Sequence, residues 1–80
     1  MAKVIIYSTP ACVYCKMAKA YFQQNQVPYT EHDVASDAVA REEMIQKTGQ
    51  LGVPVIDING KIVIGFDQGR IKELLADSVS

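Results

Sequence analysis

Apolar residues recur along the chain in short runs whose spacing switches between strand-like and helix-like. The first run, Lys3 to Tyr7, is apolar on both faces, which is typical of a central strand covered by helices on each side. A helical pattern follows from Lys16 to Asn25. Its apolar side is formed by Ala18, Tyr21 and Phe22. The chain therefore opens with a buried strand that leads into an amphipathic helix.

The second strand is predicted over Pro28 to Val34 and is more polar than the first. Charged and polar residues at an edge discourage pairing with other chains, and Pro28 cannot donate to a ladder. We therefore place this strand at an edge of the sheet.

A second helix is predicted from Ala38 to Thr48. Ser36 or Asp37 can cap its first turn, and Gly49 suits its C-terminal end. Its inward positions are predicted to be Val39, Met44 and Ile45. Its charged positions are Arg41, Glu42, Glu43 and Lys47. We interpret these charges as a solvated face, in which Glu43 and Lys47 have the favourable i,i+4 spacing.

The last third of the chain predicts a hairpin and a helix. Asn59-Gly60 separates two β-branched runs, Pro54 to Ile58 and Lys61 to Ile64, and this dipeptide is the strongest short hairpin signal. Asp67 can cap a helix over Gln68 to Asp77. The inward positions of this helix are predicted to be Ile71, Leu74 and Leu75.

The order of these elements, β-α-β-α-β-β-α, predicts an α/β fold. A right-handed crossover makes the first two strands parallel, and the hairpin adds two antiparallel strands. Helices must then cover both faces of the sheet. We expect a four-stranded mixed sheet with three helices.

Composition narrows the class of protein. Eighty residues, of which 49% are hydrophobic, predict one domain spanning residues 1–80 with a single core. The formal net charge of −1, with acids and bases interspersed, argues against a nucleic-acid partner. The apolar runs are too short for a membrane span, and a signal-peptide pattern is lacking. We expect a cytoplasmic monomer that binds no membrane.

The chemistry of the chain centres on Cys12-Val13-Tyr14-Cys15, which lies where the first strand gives way to its helix. Unpaired backbone N–H groups and the positive end of the helix dipole favour a thiolate there. Cys15 follows Cys12 at helical spacing i+3, so both thiols lie on the same face. Such a pair can close a small disulfide and reopen it.

Two other interpretations of the thiol pair stay open. A zinc or iron-sulfur site needs four ligands, and His32 is alone, so the pair would have to be shared across a dimer. His32 is most simply a solvated strand residue, because nothing in the sequence ties it to the cysteines. A purely structural pair of buried thiols leaves the position at the strand-to-helix junction unexplained.

The chain resembles the glutaredoxin family of the thioredoxin superfamily over nearly its whole length. The resemblance rests on residues 4–8, 12–16, 41–45, 53–54 and 64–67. It implies a thioredoxin-like fold and a dithiol-disulfide oxidoreductase that reduces protein or glutathione mixed disulfides. In this family pattern Cys12 is the nucleophile and Cys15 the resolving thiol, with no bound cofactor or metal. Lys16 would help to stabilise the thiolate.

The resemblance also implies a substrate-binding surface. It makes Val53-Pro54 a cis-proline step whose Val53 backbone pairs with the substrate, whereas an ordinary trans proline would only open a strand. Tyr14 would lie under the substrate, although a ring packed into the core is the alternative. The remaining residues of this surface would be Gly65, Phe66 and Asp67.

The departures from the family pattern bear on the electron donor. The usual glutaredoxin has proline at the place of Val13, often a basic residue at the place of Thr9, threonine at Gly52 and glycine at Phe66. The missing basic residue weakens the case for glutathione, whose carboxylate it would hold. Gln50 and Lys16 could compensate in part, and Asp67 could still hold the γ-glutamyl amine, although a helix cap explains Asp67 equally well. Gly-Phe before the last helix is similar to the NrdH-redoxins, donors that a thioredoxin-reductase-like flavoprotein reduces. The partners expected are thus disulfide-containing proteins and one of these two electron donors.

Overall fold

The computed structural model describes residues 3–50 and 52–79. It contains a four-stranded sheet with helices on both faces. Its elements are β1 Val4–Ser8, α1 Val13–Gln24, β2 Thr30–Asp33, α2 Ala38–Thr48, β3 Val55–Ile58, β4 Lys61–Ile64 and α3 Gln68–Val79. The strands lie in the order β2-β1-β3-β4. β1 is parallel to β2 and antiparallel to β3, which pairs with β4. The predicted element order and mixed sheet are confirmed.

β1 is central, and its side chains alternate between two apolar layers. Val4 and Ile6 pack with α1 and α3, whereas Tyr7 packs with α2. The larger layer contains Val4, Ile6, Ala18, Phe22, Ile56, Ile58, Val63, Ile71 and Leu74. The smaller layer contains Tyr7, Val34, Ala40, Met44 and Val55. Two layers explain why β1 is apolar on both faces.

The polar second strand lies at the sheet edge, as predicted. Its ladder with β1 runs only from Thr30 to Asp33, because Pro28 has no N–H to donate. His32 is half-buried, and its ring stacks on Tyr7 with the ring centroids 5.5 Å apart. His32 is therefore a packed residue rather than a fully solvated one.

The turn and cap residues behave as their chemistry predicts. Asn59 and Gly60 both have positive φ, 54° and 88°, in the tight turn between β3 and β4. Asp37 rather than Ser36 caps α2, since its Oδ1 accepts from the Ala40 backbone N–H at 3.1 Å. Gly49 ends that helix in the left-handed conformation. The β3–β4 turn and both ends of α2 are therefore fixed by residues at or next to those positions.

Two predictions for α2 are wrong. Val39 is 77% exposed, because the buried positions of this helix are Ala40 and Met44, which are four residues apart on its inner face. Glu43 and Lys47 are more than a solvated pair. Both make hydrogen bonds with side chains of the sheet, although their own i,i+4 contact of 3.5 Å is present as predicted.

Lys47 is the centre of a polar network between α2 and the sheet. Its Nζ donates to Tyr7 Oη at 2.7 Å and to Asp57 Oδ2 at 2.8 Å, and Tyr7 Oη donates to Glu43 Oε1 at 2.6 Å. Burial alone would lower the pKa of Lys47, but the bonds to Asp57 and Tyr7 outweigh it and raise that pKa. The amine therefore stays charged, and α2 is fastened to β1 and β3.

None of the helices within the described ranges is long and apolar enough to span a bilayer. The longest are α1 and α3, with 12 residues each, and both carry charged side chains.

Replacing the central amine should destabilise the fold. In Lys47→Met, the carboxylate of Asp57, whose side chain is 10% exposed, loses its counter-ion. We expect the free energy of unfolding to fall by about 3 kcal/mol, the lower end for breaking a buried pair, because Lys47 itself is partly exposed. Urea denaturation followed by circular dichroism measures this.

The matched control is Lys72→Met on the exposed side of α3, which should change stability by less than about 0.5 kcal/mol. Equal losses of stability in the two variants would show that the network does not fasten α2 to the sheet.

Candidate active site

Cys12 occupies the N-cap of α1. β1 ends at Ser8, a turn closes with a 3.3 Å bond from the Cys12 N–H to the Thr9 carbonyl, and the helix begins at Val13. Cys12 is extended, with φ −87° and ψ 113°, and its Sγ accepts from the Cys15 N–H at 3.1 Å. The sulfur thus takes the acceptor role that a serine or aspartate oxygen has in ordinary caps.

The sequence predicts Cys12 at the first turn of the helix, although the amphipathic pattern itself is recognisable only from Lys16. The helix begins at Val13, so Cys12 lies immediately before its first turn. Cysteine is not among the usual capping residues, so the sequence pattern gives no start signal before the first turn. The earlier start places Cys12 just outside the helix and Cys15 within its first turn.

The two cysteines form a disulfide, with their Cα atoms 5.2 Å apart, but their surroundings differ. Cys12 is half-buried, whereas Cys15 is 0% exposed. A reactant from solvent therefore meets Cys12 first. Cys15 reaches the exterior only through its partner sulfur.

The local field favours negative charge on Cys12. The first turn of α1 holds no acidic residue, and Lys16 within it is exposed and positively charged. The Cys15 N–H that points at Cys12 Sγ is one of the backbone donors that a helix leaves unpaired at this end. A helix N-terminus of this kind favours a thiolate over a thiol. The ionisation of Cys12 and the stabilising role of Lys16 stay predictions.

An exposed apolar surface borders the pair on α1. It consists of Val13, Tyr14 and Met17, which are 66%, 62% and 45% exposed. The alternative that Tyr14 packs into the core is therefore wrong. Met17 was not predicted as a site residue, although its spacing of three and four residues from Tyr14 and Val13 could have indicated a shared face. We refer to these three residues as the α1 apolar surface.

The Val53-Pro54 bond is cis, in agreement with the resemblance. Pro54 is buried, and Val53 is partly buried against the layer that contains Tyr7. The Pro54 carbonyl accepts a 2.8 Å bond from the Gly65 N–H. The structure therefore brings together two of the predicted substrate-binding positions, Pro54 and Gly65.

The segment before α3, residues 65–67, also has structural roles. Gly65 has φ 81°, a conformation that side chains rarely adopt. Phe66 packs edge-to-face on Tyr21 of α1, with centroids 6.0 Å apart, so its ring also belongs to the core. Asp67 caps α3, because its Oδ1 accepts from the Arg70 N–H at 3.1 Å.

No group of three or more His, Cys, Asp or Glu side chains in the described part of the chain is arranged to hold a metal ion.

Known proteins match this chain over most of its length. The Glutaredoxin family model matches residues 4–63. A glutaredoxin-like 8.6 kDa protein in the rubredoxin operon of Clostridium pasteurianum is 43% identical, over 88% of this chain and 93% of that protein. Glutaredoxin 3 of Escherichia coli is 39% identical, over 84% and 81%.

Solved structures show the same arrangement of elements. The crystal structure of the thioredoxin-like protein BC3987 is 32% identical and superposes with a TM-score of 0.85, covering 90% of this chain and 99% of that one. The chain therefore belongs to the glutaredoxin family, the thiol-disulfide oxidoreductases of the thioredoxin fold, and Cys12-Cys15 is its redox-active disulfide.

Proposed function

We propose that this chain reduces disulfides of protein substrates by a two-step dithiol exchange. The observation that carries the proposal is the asymmetry of the pair. Cys12 is the helix cap and half-buried, whereas Cys15 is fully buried behind it. One sulfur is thus placed to attack and the other to resolve.

The reaction consists of two successive thiol-disulfide exchanges. The Cys12 thiolate attacks one sulfur of the substrate disulfide, and that bond breaks to release a thiolate that takes up a proton. Cys15, having lost its own proton, then attacks Cys12 Sγ and displaces the second substrate sulfur. Two electrons pass from the pair to the substrate. The product is the Cys12-Cys15 disulfide.

The cap geometry favours both the attack by Cys12 and the later displacement of Cys12 as a leaving group. Hydrogen bonding and the helix dipole lower the energy of a Cys12 thiolate, which raises the fraction of the reactive form. The same stabilisation makes Cys12 a good leaving group, and because Cys15 is buried, a donor thiol must attack at Cys12.

The α1 apolar surface supports a protein substrate. This surface offers the exposed ring of Tyr14 and the exposed alkyl groups of Val13 and Met17, which follow Cys12 on α1. An apolar chain segment can cover them, and aromatic and methionine side chains are enriched at such interfaces. The half-buried Thr9, three residues before Cys12, offers no positive charge to a small anionic thiol.

The same two features support a flavoprotein disulfide reductase, rather than glutathione, as the electron donor. Thr9 replaces the basic residue that would bind the carboxylate of glutathione, and Oδ1 of Asp67 is engaged in capping α3. A flavoprotein can instead use the α1 apolar surface for contact.

Substitution of the two cysteines should separate the two steps. We expect Cys12→Ser to lower disulfide reductase activity by at least about 1000-fold, because the nucleophile is lost. We expect Cys15→Ser to attack but not resolve, so that a mixed disulfide with the substrate accumulates and is seen by mass spectrometry. Full activity of the Cys12→Ser variant on a model disulfide would contradict the proposed function.

The α1 apolar surface should matter for protein substrates alone. In the double variant Tyr14→Ser and Met17→Ser, we expect kcat/KM for a protein disulfide to fall about 10-fold, a loss of about 1.4 kcal/mol. The rate with a small disulfide such as hydroxyethyl disulfide should stay unchanged.

The matched control is Val39→Ser, which removes an apolar side chain from α2 that is 77% exposed. It should leave both rates alone. If the small disulfide and the protein slow equally in the double variant, the surface does not bind protein substrates.

The donor can be identified by coupled turnover. Oxidised protein is supplied either with glutathione and glutathione reductase or with a thioredoxin-reductase-like flavoprotein, and NADPH consumption is followed. We expect the flavoprotein to turn over at least about 10-fold faster. Thr9→Lys should raise the glutathione rate selectively, since a charge-assisted hydrogen bond contributes about 1.5–3 kcal/mol. Faster turnover with glutathione in the unmodified protein would assign glutathione as donor.

A further inference from the structure

The loop that leads from α2 to Pro54 is held at its start by one hydroxyl group. Thr48 is the last residue of α2, and the single proton of its Oγ1 is shared between the Met44 carbonyl, at 2.8 Å, and the Gln50 carbonyl, at 3.0 Å. The same oxygen accepts from the Gln50 backbone N–H at 3.2 Å. Both backbone groups of Gln50 are therefore bound to one side chain of the helix.

The helix end that carries this hydroxyl is itself fixed to the sheet. Lys47, the residue before Thr48, donates to Tyr7 of β1 and to Asp57 of β3. Gly49 then turns the chain out of the helix with φ 73°. The bonds of Thr48 hold the chain directly after this turn, so they tie the start of the loop to the sheet through α2.

Val53 lies between two fixed points of the chain. Gln50 is three residues before it, and the Nε2 atom of Gln50 lies beside Gly52, 3.8 Å from where a Cβ of that residue would be. After Val53, the Pro54 carbonyl accepts from the Gly65 N–H at 2.8 Å. Three residues of chain span at most about 11 Å, so the position of Gln50 limits where Val53 can lie.

We propose that Thr48 is a positioning residue for substrate binding, because its hydroxyl holds the loop in the conformation in which the Val53 backbone pairs with a substrate strand. The inference rests on the proposed function and on the predicted contact between Val53 and the substrate. Without the hydroxyl, Gly49 and Gly52 leave the start of the loop free to move. The substrate would then have to order the loop when it binds, which weakens binding.

A purely local role for the hydroxyl is the competing explanation. Threonine in a helix often donates to the carbonyl four residues earlier, as Thr48 does to Met44, and such a bond affects only the helix. The two contacts with Gln50 lie outside α2 and connect it to the loop. A test must therefore measure pairing with the substrate backbone as well as stability.

Two peptide substrates measure that pairing. In the first, a short peptide is joined through its cysteine to 2-mercaptoethanol by a disulfide. The second carries N-methyl groups on the backbone amides that flank the cysteine, which removes the donors needed for strand pairing. We expect the reduced, unmodified protein to react with the first peptide about 10-fold faster, as the second-order rate constant, which corresponds to one hydrogen bond.

Substitution of Thr48 should remove this preference. In Thr48→Val, which keeps the shape of the side chain, we expect the first peptide to slow by about 5- to 10-fold and the methylated peptide to be unchanged, so that the preference falls below about 2-fold. Thr48→Ser, which keeps the hydroxyl, should retain the preference. Hydroxyethyl disulfide has no peptide backbone, so its rate should be the same in all three proteins. Amide hydrogen exchange at Gln50 should accelerate in Thr48→Val, because its N–H loses its acceptor.

The matched control is Ser36→Ala, which removes a hydroxyl-to-carbonyl bond of 3.4 Å, to Asp33, before the other end of α2. It should leave all three rates unchanged. If Thr48→Val folds poorly by circular dichroism, Thr48→Ala tests the same loss with a residue that favours helix.

The inference is overturned if the variants without the hydroxyl keep the preference for the first peptide, or if they slow hydroxyethyl disulfide as much as the peptide. An unmodified protein that reduces both peptides equally fast would also overturn it and would leave the proposed function intact. If the unmodified protein reduces neither the peptides nor hydroxyethyl disulfide, the proposed function itself is wrong.

Discussion

The hydrogen bond from the Cys15 N–H to Cys12 Sγ is the interaction on which the chemistry of this protein depends. A helix leaves its first backbone donors unpaired, and a polar side chain at the N-cap normally satisfies one of them. Here that side chain is Cys12, the nucleophile of the proposed exchange. In that mechanism one sulfur both caps the helix and carries the thiolate, so whatever fixes the start of α1 also fixes the environment of Cys12.

The rest of the fold keeps that start in place. β1 delivers the chain to Cys12, and it pairs on both sides, with β2 and with β3. Apolar layers cover both of its faces, so neither the strand nor the helix that follows can shift without opening a core. A reactive group at the end of such a strand needs little support from its own loop.

Sequence patterns were sufficient for the architecture because the signals for elements and turns are local. Asn59-Gly60, Asp37 and Asp67 each act within a few residues of their own position. Interactions between distant parts of the chain were beyond those patterns. From the sequence Lys47 is interpreted as a surface charge of α2, but the fold brings Asp57 of β3 against it. Ser8 is likewise only the end of a strand in the sequence, but in the fold its Oγ donates to Glu31, to which Lys19 also donates. The position of Cys12 at the start of the helix follows from the sequence, whereas its role as the cap acceptor does not, because cysteine is not among the usual capping residues.

Tyr7 and Ser8 place β1 in two polar networks, one on each face of the sheet. Consecutive strand residues point to opposite sides, so Tyr7 enters the network of Lys47 and Ser8 enters that of Glu31. The bonds of Lys47 to Tyr7 and Asp57 join two strands to α2, which suits a fastening role. The bonds of Glu31 join the last buried residue before the thiol loop to a partly exposed carboxylate. Each network therefore joins a buried group to side chains that reach solvent, and together they tie β1 to β2, to β3 and to the helices on both faces of the sheet.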